Sequence, residues 1–375
     1  MSRSPCIAAG PTLQLAKLIL GLSLAGALGC GEDFDPASQI DSLRVLAVRK
    51  SAPYARPGQS VDLELLWHDA VPDRPRPQIA WLALCENPDG DLFTGCLSSR
   101  PSLDPSRISL PDPAAELAND HFSFSTSANI ISSRPPPKDP GLVPYGLDYV
   151  FFAVCAGSIA LQPEAQQSPL VCYQELDDEP GFSAGDQQLD SRDFVFGYTE
   201  IFSYDELENA NPIVDGVEFD GRLLYPGQPP LGSDGETLDA PALTPEDFCI
   251  GSGCSPAPAF EDPSVCPEAL SYPPCTGDCP ALRISPLVDP ASAEIDVVSS
   301  GQSDVLLEQM WVNYYATAGE VSDEVTLLND AIEGWQADYG TDYAPSEEAA
   351  VTYLWSVAHD NRGGSQWARL RVCTR

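Results

Sequence analysis

Short runs in which apolar and polar residues alternate recur along the whole chain. In residues 61–67, Val61, Leu63, Leu65 and Trp67 fall on one face while Asp62 and Glu64 fall on the other, the pattern of a half-buried strand. Ile79, Trp81, Ala83 and Cys85 alternate in the same way. Residues 43–48 and 149–154 (YVFFAV) are apolar on both faces, as central strands are. Residues 194–202 (FVFGYTEIF) close this first series, and Arg56-Pro57-Gly58-Gln59 reads as a turn within it. A new strand pair follows at 213–224, and residues 306–317 are aromatic and β-prone. Near the end, Val351, Tyr353, Trp355 and Val357 share one face, Asp360-Asn361-Arg362-Gly363-Gly364 supplies a turn, and residues 367–372 return as the second strand of a hairpin.

The pattern predicts an all-β protein of two β-sandwich domains, 41–205 and 209–375, meeting at Asn209-Ala210-Asn211-Pro212. With 37 Pro and 28 Gly, many turns and few long helices are expected. Residues 101–146 and 176–192 are rich in Pro, Ser and Asp and read as long surface loops. Residues 226–247 have linker composition with few side chains able to pack, and the Cys-rich stretch 249–279 follows. Together they form an expected insertion, 226–280, in the second domain.

The amino terminus differs from the rest. Residues 1–29 hold no Asp or Glu, carry Arg3 and Lys17, and contain the apolar run 18–28 (LILGLSLAGAL) before Gly29-Cys30. A basic start, a short apolar core and small residues near a cleavage point define a secretory signal. The run is shorter than the roughly 20 residues a membrane-spanning helix needs. Ala27-Leu28-Gly29-Cys30 resembles a bacterial lipobox. That resemblance implies cleavage before Cys30 and acylation of it, with the chain anchored to a membrane and its body outside the cytoplasm. More than one buried acyl chain gives stable anchoring. Residues 30–40 would form a short polar tether.

Of the twelve cysteines, Cys6 leaves with the signal and Cys30 takes lipid. The ten that remain are Cys85, Cys96, Cys155, Cys172, Cys249, Cys254, Cys266, Cys275, Cys279 and Cys373. An even number in an oxidising compartment predicts disulfides. Sequence proximity suggests Cys85–Cys96 and Cys155–Cys172. The six in the second half leave their connectivity open. Zinc is the competing reading for residues 249–279, but no His lies among them and no CxxC pairs occur.

Three stretches carry a second resemblance: SLRVLAVRKSAPYARPGQSVDLELLWHD near the start, NPIVDGVEFDG at the join and VTYLWSVAHDNRGGSQWARLRV at the end. They resemble a family of uncharacterised lipoproteins from myxobacteria and related bacteria, whose halves are similar to immunoglobulin-like or PKD-like β-sandwiches. The resemblance implies an exported, tethered β-sandwich protein and carries no catalytic residues.

Charge narrows the partners. The formal net charge is −37, and loss of Arg3 and Lys17 with the signal makes it two units more negative. Phosphate backbones would be repelled, which excludes nucleic acid, and anionic headgroups offer no electrostatic attraction. A saline habitat is one reason for such a balance. Catalytic motifs are sparse: there is no HExxH and no P-loop, and only His68, His121 and His359 are present. With 56 Asp and Glu, a pair of acids spaced for hydrolysis is unavoidable and uninformative. Calcium is the metal that acidic loops suit, with Asp89, Asp91, Asp338, Asp342, Asp360 and Asn361 as candidate donors, although all are also ordinary turn formers. Trp335 lies in a polar aromatic stretch, where exposure would suit carbohydrate or protein binding. The sequence therefore points to a non-enzymatic envelope lipoprotein, a structural or binding module for an envelope protein or polysaccharide, with no cofactor. A hydrolase using loop carboxylates and a calcium-dependent adhesive module are the alternatives.

Overall fold

The computed structural model describes residues 36–98, 105–111, 119–137, 141–162, 169–174, 187–254, 257, 266–277, 279–296 and 305–375. The signal, Cys30 and the tether as far as residue 35 lie outside the described residues, as does 176–186 of one expected loop. Residues 37–375 form one compact unit.

That unit is nearly all β. In the first half the strands are β1 (Leu43–Lys50), β2 (Tyr54–Ala55), β3 (Ser60–Asp69), β4 (Gln78–Glu86), β5 (Ile108–Ser109), β6 (His121–Ser125), β7 (Gly146–Cys155), β8 (Ser158–Leu161), β9 (Leu170–Gln174), β10 (Gln187–Gln188) and β11 (Phe194–Ser203). The single α-helix among the described residues, α1 (Phe93–Ser98), follows β4. A three-stranded sheet, β1-β3-β6, faces a five-stranded sheet, β2-β11-β7-β4-β5, and β10-β9-β8 form a small third sheet.

Alternation explains the first core. Val61, Leu63, Leu65 and Trp67 of β3 point inward against Ile79, Trp81 and Ala83 of β4 and Val150, Phe152 and Val154 of β7. Strand β7 is central, between β11 and β4, and is buried along its whole length. Its other face, Leu147, Tyr149, Phe151 and Ala153, packs with Cys85, Cys96 and Leu170.

Two expectations change here. Part of the predicted loop 101–146 is strand β6, because HFSFS alternates and sends Phe122 and Phe124 into the core. Strand β1 is not central but an edge, pairing only with β3. A β-bulge between Val45 and Ala47 shifts its register. Its second apolar face is covered by the other half of the chain instead.

The second half supplies β12 (Val214–Phe219), β13 (Arg222–Leu224), β14 (Leu231–Gly232), β15 (Phe248–Ile250), β16 (Ser271–Tyr272), β17 (Leu282–Val288), β18 (Met310–Ala316), β19 (Glu320–Val321), β20 (Val325–Asp330), β21 (Gly334–Trp335), β22 (Thr341–Ala344), β23 (Ala350–Asp360) and β24 (Ser365–Thr374). Its sheets run β14-β13-β12-β17-β22-β19 and β15-β24-β23-β18-β20-β21, with β16 beside β24. Asp220 and Gly221, both at positive φ (50° and 71°), form the two-residue turn joining β12 to β13. Residues 226–247 are not a bare linker: Leu243 enters the second core, and the buried Asp247 accepts from Arg371 at 2.5 Å.

Every strand of a given sheet comes from one side of the 209–212 join. The two sides share a core of their own. Leu46 and Ala47 of β1 and Leu66 of β3 meet Tyr353, Trp355 and Val357 of β23 and Trp367 of β24, with Ile40 beside them. The chain is also stitched across at its entry, where Ile40 N donates to Ala316 O at 2.9 Å and Ala316 N to Ser38 O at 2.8 Å.

Five disulfides close the described unit: Cys85–Cys96, Cys155–Cys172, Cys249–Cys254, Cys266–Cys373 and Cys275–Cys279. The first two are the pairs that sequence proximity suggests. All five cysteines of the 249–279 stretch are disulfide-bonded, which removes the zinc reading because thiolate ligands are no longer present.

Candidate functional site

Where the end of β1 meets the turn between β23 and β24, four segments distant in sequence converge on a cleft of about 450 Å³, Trp311 of β18 among them. Strand β1 contributes Val48 and Lys50, β11 contributes Tyr198, Glu200 and Phe202, and the hairpin contributes His359 to Ser365. The join between halves fixes the geometry. Asn211 donates its side-chain amide to Lys50 O at 2.7 Å and accepts from Ser365 N at 3.0 Å. Ser365 Oγ donates to Val48 O at 2.9 Å.

The turn is built on Asp360, whose Oδ1 accepts from the backbone N–H groups of Arg362 and Gly364, both at 2.8 Å. Its Oδ2 accepts from Asn209 Nδ2 at 3.3 Å. Gly363 sits at φ +90°, and a β-carbon there would stand 2.5 Å from the Lys50 amine. Arg362 is locked underneath. It donates to Glu308 and, at 2.8 Å, to Glu294, with its guanidinium 5.4 Å from the Tyr54 ring centre.

Lys50 is the unusual member. Its side chain is only 4% exposed, and among the described residues no hydrogen bond or ion pair reaches its Nζ. Burial lowers its pKa to about 8, opposed by the charges of Asp360 and Glu200. His359 stacks on Trp311 with ring centres 5.4 Å apart, and burial, with the Lys50 charge second, lowers it to about 4, so it is neutral at ordinary pH. Glu200 accepts from Tyr149 OH at 2.7 Å.

Other clefts among the described residues include two of comparable size. One, of about 610 Å³, is walled by Trp67, Trp355, Trp367 and Arg369 at the junction of the halves. The other, of about 690 Å³, is lined by Asp89, Asp91, Arg134, Tyr145 and a run of prolines.

The structure distributes the residues singled out for calcium. Asp91 accepts from Arg134 at 2.5 Å and Tyr145 at 2.8 Å, and the Arg134 hydrogen bond holds its carboxyl below the usual range. Asp338 and Asp342 both accept from Arg283. Asp360 is spent on its own turn, Asn361 donates to Asp296 at 3.5 Å, and Asp89 is exposed. Among the described residues no three His, Cys, Asp or Glu side chains gather as a metal site would require.

The histidines are also placed. His68 is buried against Trp355, with ring centres 5.1 Å apart, and burial lowers it to about 4. His121 opens β6 rather than lying in a loop. Trp335 is a half-buried residue of β21, set edge-on to Tyr339 at 5.9 Å, and packs on the second core rather than standing exposed. Lys50 was not marked by the strand pattern. Composition carries its signal: the chain has three lysines, Lys17, Lys50 and Lys138, among 19 cationic side chains. No protein family and no curated protein matches this chain.

Proposed function

We propose that the protein is an exported module of the bacterial cell envelope, held to a membrane by acyl chains on Cys30 and acting by binding rather than catalysis. The observation that carries this reading is the pairing of all ten cysteines beyond Cys30 into disulfides, a state that persists outside the cytosol. The sequence of residues 1–30 supplies the means of export and attachment. The resemblance to tethered lipoproteins agrees with it.

The body is suited to a scaffold that presents surfaces. Most of its described arginines are committed to carboxylates, as in Arg107 with Asp148 at 2.5 Å and Arg74 with Asp193 at 2.5 Å. The surplus of acids therefore faces outward and favours a neutral or basic envelope partner, protein or polysaccharide. Membrane fractionation of Cys30→Ser tests the anchor. The variant is expected in the soluble fraction, and its retention on membranes would refute the anchor. Non-reducing peptide mapping of protein from the native envelope tests the compartment: five bridges are expected, and free thiols there would remove the reading.

A further inference from the structure

Apart from Lys17 in the signal, only Lys50 and Lys138 are lysines, and the other cations are arginines. Elsewhere the fold buries guanidinium groups against acids, as with Arg362 on Glu308 and Arg371 on Asp247. Guanidinium keeps its proton at every ordinary pH, whereas a buried amine can lose it. Among the described residues Lys50 is the one lysine, it is buried, and it is the one buried cation without a hydrogen-bond or ion-pair partner; it lines a cleft.

We propose that Lys50 is an imine-forming site for a small uncharged aldehyde held in this cleft. The neutral amine adds its lone pair to the carbonyl carbon, forming a C–N bond. The carbonyl oxygen then leaves as water with the two amine protons, giving C=N, and returning water reverses the step. The site captures its ligand covalently without turning it over, and extends the binding role proposed above.

The surroundings select the ligand class. Burial brings the amine to a pKa of about 8, so a useful fraction is unprotonated near neutrality. Glu200, His359, Asp360 and Arg362 line the same cleft. His359 is neutral, Arg362 is neutralised by Glu308 and Glu294, and Glu200 and Asp360 repel anions. Tyr198, Phe202 and Trp311 offer aromatic walls to a carbon skeleton. Gly363 leaves open the space that a β-carbon would close over the amine.

The test treats the purified protein with limiting glycolaldehyde and cyanoborohydride, then maps adducts by peptide mass spectrometry. A short unstructured peptide with one lysine and a blocked amino terminus, added in equal amount, is the reference, so no variant has to fold. At pH 7 the Lys50 adduct is expected to exceed the peptide adduct at least about tenfold, with the ratio falling at pH 10 as the peptide's ordinary amine also deprotonates. Equal or faster labelling of the peptide at pH 7, or labelling of Lys50 only in denaturant, would overturn the site. Glyoxylate in place of glycolaldehyde should label Lys50 several-fold more slowly. If it labels as fast or faster, the uncharged ligand class is wrong. None of these outcomes depends on Cys30 or on membrane attachment.

Discussion

Asn211 holds the carbonyl of Lys50 at 2.7 Å, so a residue of the 209–212 join fixes the end of a strand that begins the fold. The same side chain accepts from Ser365 and thereby clamps the two sides of the cleft. Asn211→Ala removes two hydrogen bonds worth about 1 kcal/mol each. A loss of about 2 kcal/mol is expected by urea denaturation, together with faster amide exchange at Ser365. Unchanged exchange there would mean that the clamp is not holding the hairpin.

The shared core between the halves sets their cooperativity. Trp355 is buried in one cluster with Leu66 and Trp367, and removing so large a ring from a core costs about 3–5 kcal/mol. Calorimetry of the native protein is expected to show one transition. Trp355→Ala should split it into two, because each half keeps its own core while the joint is lost. A single, merely shifted peak would show that the halves do not unfold separately.

Disulfides should differ in weight according to the loop each closes. Cys266–Cys373 spans 107 residues and Cys275–Cys279 spans 4. Chain-entropy arguments give about 5 kcal/mol for the first and about 2 kcal/mol for the second. Replacing each pair by serines and comparing denaturation midpoints tests this order, which a reversed ranking would contradict.

Acid response follows from four buried groups. His68 and His359, lowered to about 4, stay neutral in the fold while the unfolded chain protonates them below about 6.5. Their contribution is therefore present above pH 6.5 and lost as pH falls to 4, on the order of 3 kcal/mol each. Asp148, raised to about 6, and Glu308, raised to about 7, both by burial, act the other way. Their contribution is complete below about pH 4 and lost as pH rises through 6 and 7. His359→Gln should thus gain stability at pH 4.5 relative to pH 8 when compared with the native protein, and Asp148→Asn should lose its share of the decline toward neutrality. Parallel stability curves for native protein and variants would refute the assignment.

Local periodicity made much of the fold legible. The alternation at 61–67 became β3 with the predicted inward face, and the predicted face of 351–357 became the side of β23 that meets the first half. The same information misread β1, because an apolar stripe records that a face is covered but not by what. Burial against a second sandwich and burial within a sheet look alike in sequence. The cleft was less accessible still. It needs Lys50, Asn211 and residues 359–365 together, and no short-range rule joins segments separated by some 150 positions. Of the acids proposed for calcium, Asp342 lies within strand β22 and Asp360 ends β23 rather than standing in free loops, and the arginine partners of others lie far along the chain, as Asp91 and Arg134 show.

The connectivity of the bridges has a consequence for biogenesis. In four of them the partner is the next cysteine met within 4 to 17 residues, so under the export proposed above a polypeptide oxidised as it emerges would seal each one almost at once. Cys266 alone must wait for Cys373, near the very end of the chain. Maturation would then finish with a single long-range latch, and a molecule truncated by even three residues would leave one sulfhydryl for quality control to recognise.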